Sequence, residues 1–177
     1  MKRLPGRWVL VGVCAAAVAA GVGLAVSGGP SLWSPGGRAL PPARARVYEN
    51  VDACLLTGAQ GLSDSTAAQD WAGLEAASRA TSARVSYLVV TGPATVAAAT
   101  PYAGTLLVQG CKVIVAAGAP ERAAALAEAD RFSSVRFVVT GPAAGSPGNV
   151  TALAFTPSGL EGSVASAVEA GVRAAGG

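Results

Sequence analysis

A chain of 177 residues, 51% of them hydrophobic, has room for one core of ordinary size and a tail. All ten acidic residues lie from Glu49 onward, so the net charge of +3 comes from the first 46 residues and the rest of the chain is acidic, which argues against a nucleic-acid-binding surface there. Because histidine is absent, Ser-His-Asp and Cys-His catalysis and histidine metal sites are excluded, and we predict no catalytic residue, no metal and no cofactor.

The amino-terminal segment is predicted to export the chain. Basic residues precede Trp8–Ser27, an uncharged and mostly apolar run. As a helix this run spans about 30 Å, roughly the thickness of a bilayer core. It is either an uncleaved anchor with its amino end in the cytoplasm or a signal peptide cleaved after Ala25-Val26-Ser27. Both alternatives place the rest of the chain outside the cell, attached to the membrane or secreted.

The predicted domain organisation follows from this segment. Residues 1–27 form the anchor or signal, residues 28–46 a linker rich in Gly, Pro and Arg, and residues 47–177 a folded lobe. Cys14 is expected to be a small buried residue of the membrane segment. A lipid attachment site would require a small residue before the cysteine, and Val13 occupies that position.

Strands and helices alternate from Val47 onward. Apolar runs that end at Gly or Pro predict five strands, at Val51–Thr57, Arg84–Val90, Lys112–Ala117, Val135–Val139 and Val150–Phe155. Apolar stripes between them predict helices at Ser65–Ser82, from Thr100-Pro101 to Gly110, at Glu121–Arg131 and at Ser158–Arg173. Strands separated by helices pair in parallel. We therefore predict an α/β three-layer sandwich with a five-stranded parallel sheet in the order 2-1-3-4-5.

Two helix faces carry further expectations. The first helix places Trp71 on the same side as Ala67 and Leu74, so Trp71 is predicted to lie in the core. Glu121 and Glu128 are expected to lie on a solvated face of the third helix.

The candidate ligand residues follow from the fold. In an open parallel sheet, ligands bind at the carboxyl ends of the strands, at the switch point between strands one and three. Polar or glycine residues at that edge make Gln60, Ser63, Asp64, Ser65, Gly118 and Thr140 the candidate ligand-binding residues. Asp64 can cap the first helix; the alternative, a hydrogen bond to a sugar hydroxyl, is implied only by a family resemblance of the segment around it. Gln60 and Ser63 could equally be ordinary turn residues.

Cys54 and Cys111 fall on strands one and three, which are neighbours in the predicted order. Export permits disulfides, so an inter-strand bridge between them is one interpretation. The alternative is two buried free thiols, because the register of the strands decides whether the Cα atoms come within about 7 Å.

The segment after the first strand resembles the opening of the basic membrane protein (BMP) family, the substrate-binding proteins of ABC-type nucleoside importers. The resemblance rests on Gly-Leu-Ser-Asp at 61–64, Asp-Trp-Ala-Gly-Leu-Glu-Ala-Ala at 70–77 and Asn-Val-Thr-Ala-Leu-Ala-Phe at 149–155. It spans roughly residues 51–172. It implies a type I periplasmic-binding fold, a small polar nucleoside-like ligand, and an ABC permease or a second copy of the chain as partner.

Two departures from the family pattern bear on function. Family members close two lobes on the ligand, and the matching part of this chain accounts for one. The family signature resembles Gly-Leu-Asn-Asp-x-Ser-Phe-Asn, and here Asp64 is kept while Ala67 and Ala68 replace the Phe and the second Asn. The sequence therefore predicts either a non-catalytic, membrane-tethered solute-binding protein or a structural or regulatory surface domain that has lost its ligand. An enzyme on a flavodoxin-like fold is disfavoured, because no phosphate-binding loop is present.

Overall fold

In a computed structural model of the chain, five strands numbered in chain order pair in parallel in the order 2-1-3-4-5. The structure describes residues 46–142, 147–156 and 158–176. The predicted anchor or signal, Cys14 and almost all of the linker lie outside these residues. Within the described ranges, no helix is both long and apolar enough to cross a bilayer.

Five strands and four α-helices make up the domain. The strands are β1 (Asp52–Thr57), β2 (Arg84–Val89), β3 (Val113–Ala116), β4 (Arg136–Thr140) and β5 (Val150–Leu153). The helices are α1 (Ser65–Thr81), α2 (Val96–Val108), α3 (Ala119–Ala129) and α4 (Leu160–Gly176), and a 3₁₀ turn, Gly61–Ser63, precedes α1. The predicted α/β sandwich and its strand order are confirmed.

The helices form two layers because alternate side chains of the central strands point to opposite faces. Leu55, paired in register with Val115, belongs to a core cluster that includes residues of α1 and α4. The next residue along, Leu56, belongs to a second cluster that includes residues of α2 and α3. Both faces of β1 and β3 are buried, which explains their continuous apolar sequences.

A disulfide joins Cys54 of β1 to Cys111, which lies just before β3. The two Cα atoms are 6.0 Å apart, inside the range that a disulfide requires. Both residues are at least 98% buried. The bond therefore ties the central pair of strands together inside the second core cluster.

The second helix begins earlier than its proline suggested. The predicted start at Thr100-Pro101 is wrong, because Thr95 caps the helix by accepting a hydrogen bond from Ala98 N at 3.2 Å. Pro101 lies inside α2, where it removes one backbone donor. The early start brings Ala99 into the buried cluster, so packing outweighs the local signal of the proline.

Three predicted side-chain environments differ from the structure. Glu121 and Glu128 are only 3% and 8% exposed, because α3 buries the stripe on which both lie. Glu128 forms an ion pair with Arg131 at 3.2 Å. Trp71 packs at the rim of the core rather than inside it, edge to face with Tyr87 of the edge strand β2 at 5.3 Å between ring centroids.

Candidate functional site

A cleft of about 420 Å³ lies at the carboxyl edge of the sheet, next to the switch point between β1 and β3. Thr57, Ala117 and Thr140, at or just after the carboxyl ends of β1, β3 and β4, contribute to its lining. The loops after these strands and the first turns of α1 and α3 complete it. The cleft therefore occupies the place where open α/β sheets bind ligands.

Four of the six predicted ligand residues line this cleft, namely Gln60, Asp64, Gly118 and Thr140. Ser63 and Ser65 are exposed beside Asp64 at the start of α1, and neither is a lining residue. The turn after β1 and the ends of β3 and β4 thus meet at one site.

Asp64 caps α1. One oxygen of its carboxylate, Oδ1, accepts hydrogen bonds from Thr66 N at 3.0 Å and from Ala67 N at 2.9 Å. These two backbone donors are therefore not available to a ligand. The other oxygen of Asp64 has no hydrogen bond from the described residues and can accept one in the cleft.

The start of α3 is built differently. Gly118 precedes it with φ +104° and no side chain caps its first turn. The carboxylate of Glu121 lies over this turn, and a β-carbon on Gly118 would come within 2.3 Å of its Oε2. A β-carbon on Gly58 would lie 3.3 Å from Oε1, so the two glycines make room for the acid. Glu121 thus lines the cleft while being almost completely buried.

Arg122 supplies the positive charge of the cleft. Its Nη1 donates to the carbonyl oxygen of Thr140 at 3.0 Å. A β-carbon on Gly141, which has φ +116°, would lie 2.7 Å from the same nitrogen. Glycine at this position therefore lets the guanidinium lie against the backbone at the end of β4. Arg122 lines the same cleft as Asp64 and Glu121, so the cleft carries groups of both signs.

Phe155, which follows β5, adds an aromatic side chain to the cleft and is 50% exposed. In the signature of the BMP family, which this sequence resembles, an aromatic residue stands at the position of Ala67. In this fold Ala67 is completely buried. No aromatic side chain could occupy that position without displacing the core. Phe155 is thus the aromatic surface that this cleft presents.

A third acid lies behind the cleft wall. Asp70 of α1 is 0% exposed, and the Thr140 hydroxyl donates to its Oδ1 at 3.3 Å. Its Oδ2 has no hydrogen-bond partner among the described residues. Desolvation by burial, offset in part by the Thr140 hydrogen bond and reinforced by the charge of Asp64, raises the pKa of Asp70 to about 7.

Four residues of this site were not among the predicted ligand residues: Asp70, Arg122, Phe155 and Glu121, which was expected on a solvated face. The burial of Asp70 could have been predicted, because it shares the 3-4-3 spacing of a buried helix face with three apolar residues, Ala67, Leu74 and Ala77. The positions of Arg122 and Phe155 depend on how α3 and the loop after β5 pack. No local pattern could have indicated them.

No protein-family model and no curated protein matches the chain. Among solved structures, the chain is similar to a crystal structure of a fragment of a candidate lipoprotein from Peptoclostridium difficile 630. The TM-score is 0.54 with 13% sequence identity, over 70% of this chain and 96% of the other. At this identity the likeness concerns the α/β fold alone.

Proposed function

We propose that this domain is an exported, non-catalytic binding domain related to the BMP family of nucleoside-binding proteins, and that its cleft receives a small polar, nucleoside-like ligand. The observation that carries the proposal is the meeting of Gln60, Asp64, Gly118 and Thr140 in one cleft at the switch point of the sheet. The cleft volume of about 420 Å³ lies within the usual range for small-molecule sites.

The chemistry of the lining supports a ligand with hydrogen-bond donors and a flat apolar part. Ionised carboxylates only accept hydrogen bonds. Asp64 and Glu121 both line the cleft, so a ligand hydroxyl or amino group can donate a hydrogen bond to a carboxylate there. Phe155 offers a face for stacking, which contributes about 1–3 kcal/mol per base in nucleic-acid complexes.

Two observations support export. The disulfide between Cys54 and Cys111 is typical of an oxidising compartment. The structural neighbour from Peptoclostridium difficile 630 is described as a candidate lipoprotein, a class attached to membranes. With the apolar run Trp8–Ser27, these observations favour a domain held at the outer face of the membrane, or secreted if the leader is cleaved.

One lobe alone leaves the ligand partly exposed. Typical sites bury 70–90% of the surface of a drug-sized ligand, and this cleft has one wall of a two-lobed clamp. We therefore propose that an ABC permease or a second copy of the chain covers the ligand in the working complex. Binding by the isolated chain is expected to be weak.

Calorimetry and equilibrium dialysis of the full chain with adenosine, guanosine and uridine test the proposal. We expect binding that Phe155→Ala weakens about tenfold, the equivalent of roughly 1.4 kcal/mol of lost stacking. Glu121→Gln should weaken it as well. Glu75→Gln, which changes an exposed acid of α1, is the matched control and should bind as the parent does. Absence of heat and of retention at millimolar nucleoside would remove the binding claim.

A second candidate is a surface domain that has kept the fold and lost the ligand. The complete burial of Ala67 favours it, because the family's stacking residue cannot be accommodated there. In that case the cleft would bind no nucleoside, and Phe155→Ala would change local packing only.

A further inference from the structure

Asp70 is a buried acid that the proposed binding site does not otherwise use. It lies on the buried stripe of α1, between Ala67 and Leu74, with no exposed surface. Of the described groups, only the Thr140 hydroxyl forms a hydrogen bond with its carboxylate, and Oδ2 has no partner. A buried carboxylate oxygen without a partner costs free energy, so such a group calls for an explanation.

Thr140 connects this acid to the cleft. It lines the cleft, and its carbonyl oxygen is held by Arg122 at 3.0 Å. Its hydroxyl has a single proton, which it donates to Asp70 Oδ1. A hydroxyl that has given its proton away can only accept further hydrogen bonds. Towards the cleft, Thr140 therefore offers lone pairs.

We propose that Asp70 is a positioning residue for the Thr140 hydroxyl. By accepting the Thr140 proton in a hydrogen bond, it leaves that hydroxyl able only to accept a hydrogen bond from a ligand. It thereby selects ligands that donate an N–H or O–H group at the β4 end of the cleft. This inference rests on the proposed function and adds a specificity rule to it. When Asp70 takes up a proton, its own O–H can donate to Thr140 Oγ1. The threonine proton is then released towards the cleft, and the preference for a donor is lost.

The surroundings of Asp70 place this exchange near neutral pH, because burial raises its pKa to about 7. The elements around it carry charged groups of both signs: Asp64, Glu75 and Arg79 at the start of or within α1, Glu121, Arg122 and Glu128 of α3, Arg136 of β4, and Glu161, Glu169 and Arg173 of α4. Glu161 is exposed, although its carbonyl oxygen lies against Gly73 of α1. Asp64 raises the pKa of Asp70 through its charge, and the arginine contacts the backbone of Thr140 rather than the acid.

The first test is the pH profile of adenosine binding to the full chain by calorimetry. If only the ionised form of Asp70 binds well, the apparent affinity should fall about 30-fold from about pH 8.5 to about pH 5.5, since the competent fraction falls by that factor. Asp70→Asn and Thr140→Val should flatten the profile. Thr140→Ser, which keeps the hydroxyl, should retain it, and so should the control Glu75→Gln. A flat profile in the parent, or an unchanged one in Asp70→Asn, would overturn the inference while leaving the proposed function intact.

The second test needs no ligand. With threonine methyl groups labelled with carbon-13, the Thr140 methyl resonance should titrate with a midpoint near pH 7, and Asp70→Asn should abolish this titration. Thr140→Ser and Glu75→Gln serve as the assignment check and the matched control. If no nucleoside binds, the proposed function fails, and this resonance still decides whether Asp70 controls the hydroxyl. If the Thr140 methyl resonance does not titrate near neutral pH, Asp70 does not set the orientation of the Thr140 hydroxyl. This conclusion holds even if Asp70→Asn fails to fold.

Discussion

The Cys54–Cys111 disulfide gives the domain a crosslink whose contribution can be calculated from chain topology. The two cysteines are 57 residues apart in sequence. In the chain-entropy treatment, closing a loop of that length removes about 14 cal/mol/K from the unfolded chain, or about 4 kcal/mol at 25 °C. Native domains have a total stability of roughly 5–15 kcal/mol. Loss of the bond should therefore leave a folded but marginal protein.

The perturbation is the double substitution Cys54→Ala and Cys111→Ala, made with Cys14→Ser in every sample so that no other thiol takes part. Urea unfolding should show a free energy of unfolding lower by about 4 kcal/mol, which is a midpoint lower by about 2 M for a slope near 2 kcal/mol/M. Reduction of the otherwise unchanged protein should lower the midpoint by a similar amount. Both cysteines are buried, so the reductant acts on the unfolded chain.

Two results would refute this reasoning. One is a loss below about 1 kcal/mol, which would mean that the reduced unfolded chain already holds β1 and β3 close together. The other is the alkylation of two thiols in unreduced, unfolded protein, which would mean that the bond does not form.

Three further predictions concern α1, and urea unfolding measures each of them. Burial raises the pKa of folded Asp70 from its ordinary value of 3.8 to about 7, so stability should fall by up to about 4 kcal/mol as the pH rises between these values and should level off above them. Asp70→Asn should remove this slope, and an unchanged slope would contradict the raised pKa. Gly73→Ala places a β-carbon 2.7 Å from Glu161 O and from Val164 Cβ, so we expect a loss of about 1–3 kcal/mol from the α1–α4 packing, and a neutral effect would speak against this close approach. Asp64→Ala should cost about 0.5–2 kcal/mol of capping energy while Asp64→Ser keeps most of it, and equal losses in both would show that the cap contributes little.

The sheet could be predicted because its strands are short, continuous apolar runs with clear ends. Leu55, Leu56 and Val115 are buried on whichever face they point to, so a strand covered on both sides is the arrangement that satisfies them. Strand order is then inferred from the crossover rule and from the helices of 11 to 17 residues that connect β1, β2, β3 and β4. The carboxyl edge, and with it the location of the cleft, follows from that order.

Helix starts and buried acids could not be predicted in the same way. Thr95 and Thr100 are both acceptable caps, and the choice between them depends on which residues of α2 reach the second core cluster. The burial of Glu121 depends on Gly58 and Gly118, which come from two different loops and leave the space that its carboxylate fills. Those contacts are set by tertiary packing, which local patterns do not encode.

The location of the cleft and its chemistry are determined by different features of the sequence. Its location is a property of topology, since the turn after β1 and the ends of β3 and β4 must meet wherever parallel strands follow this order. Its chemistry is set by side chains that arrive from separate elements: Glu121 and Arg122 from α3, Phe155 from beyond β5, and Asp70 through Thr140. If the cleft binds a ligand as proposed, we expect a change in any of these residues to alter which ligand fits. Binding measurements on Phe155→Ala, Glu121→Gln and Asp70→Asn, rather than further evidence on the fold, are therefore the experiments that define what this domain recognises.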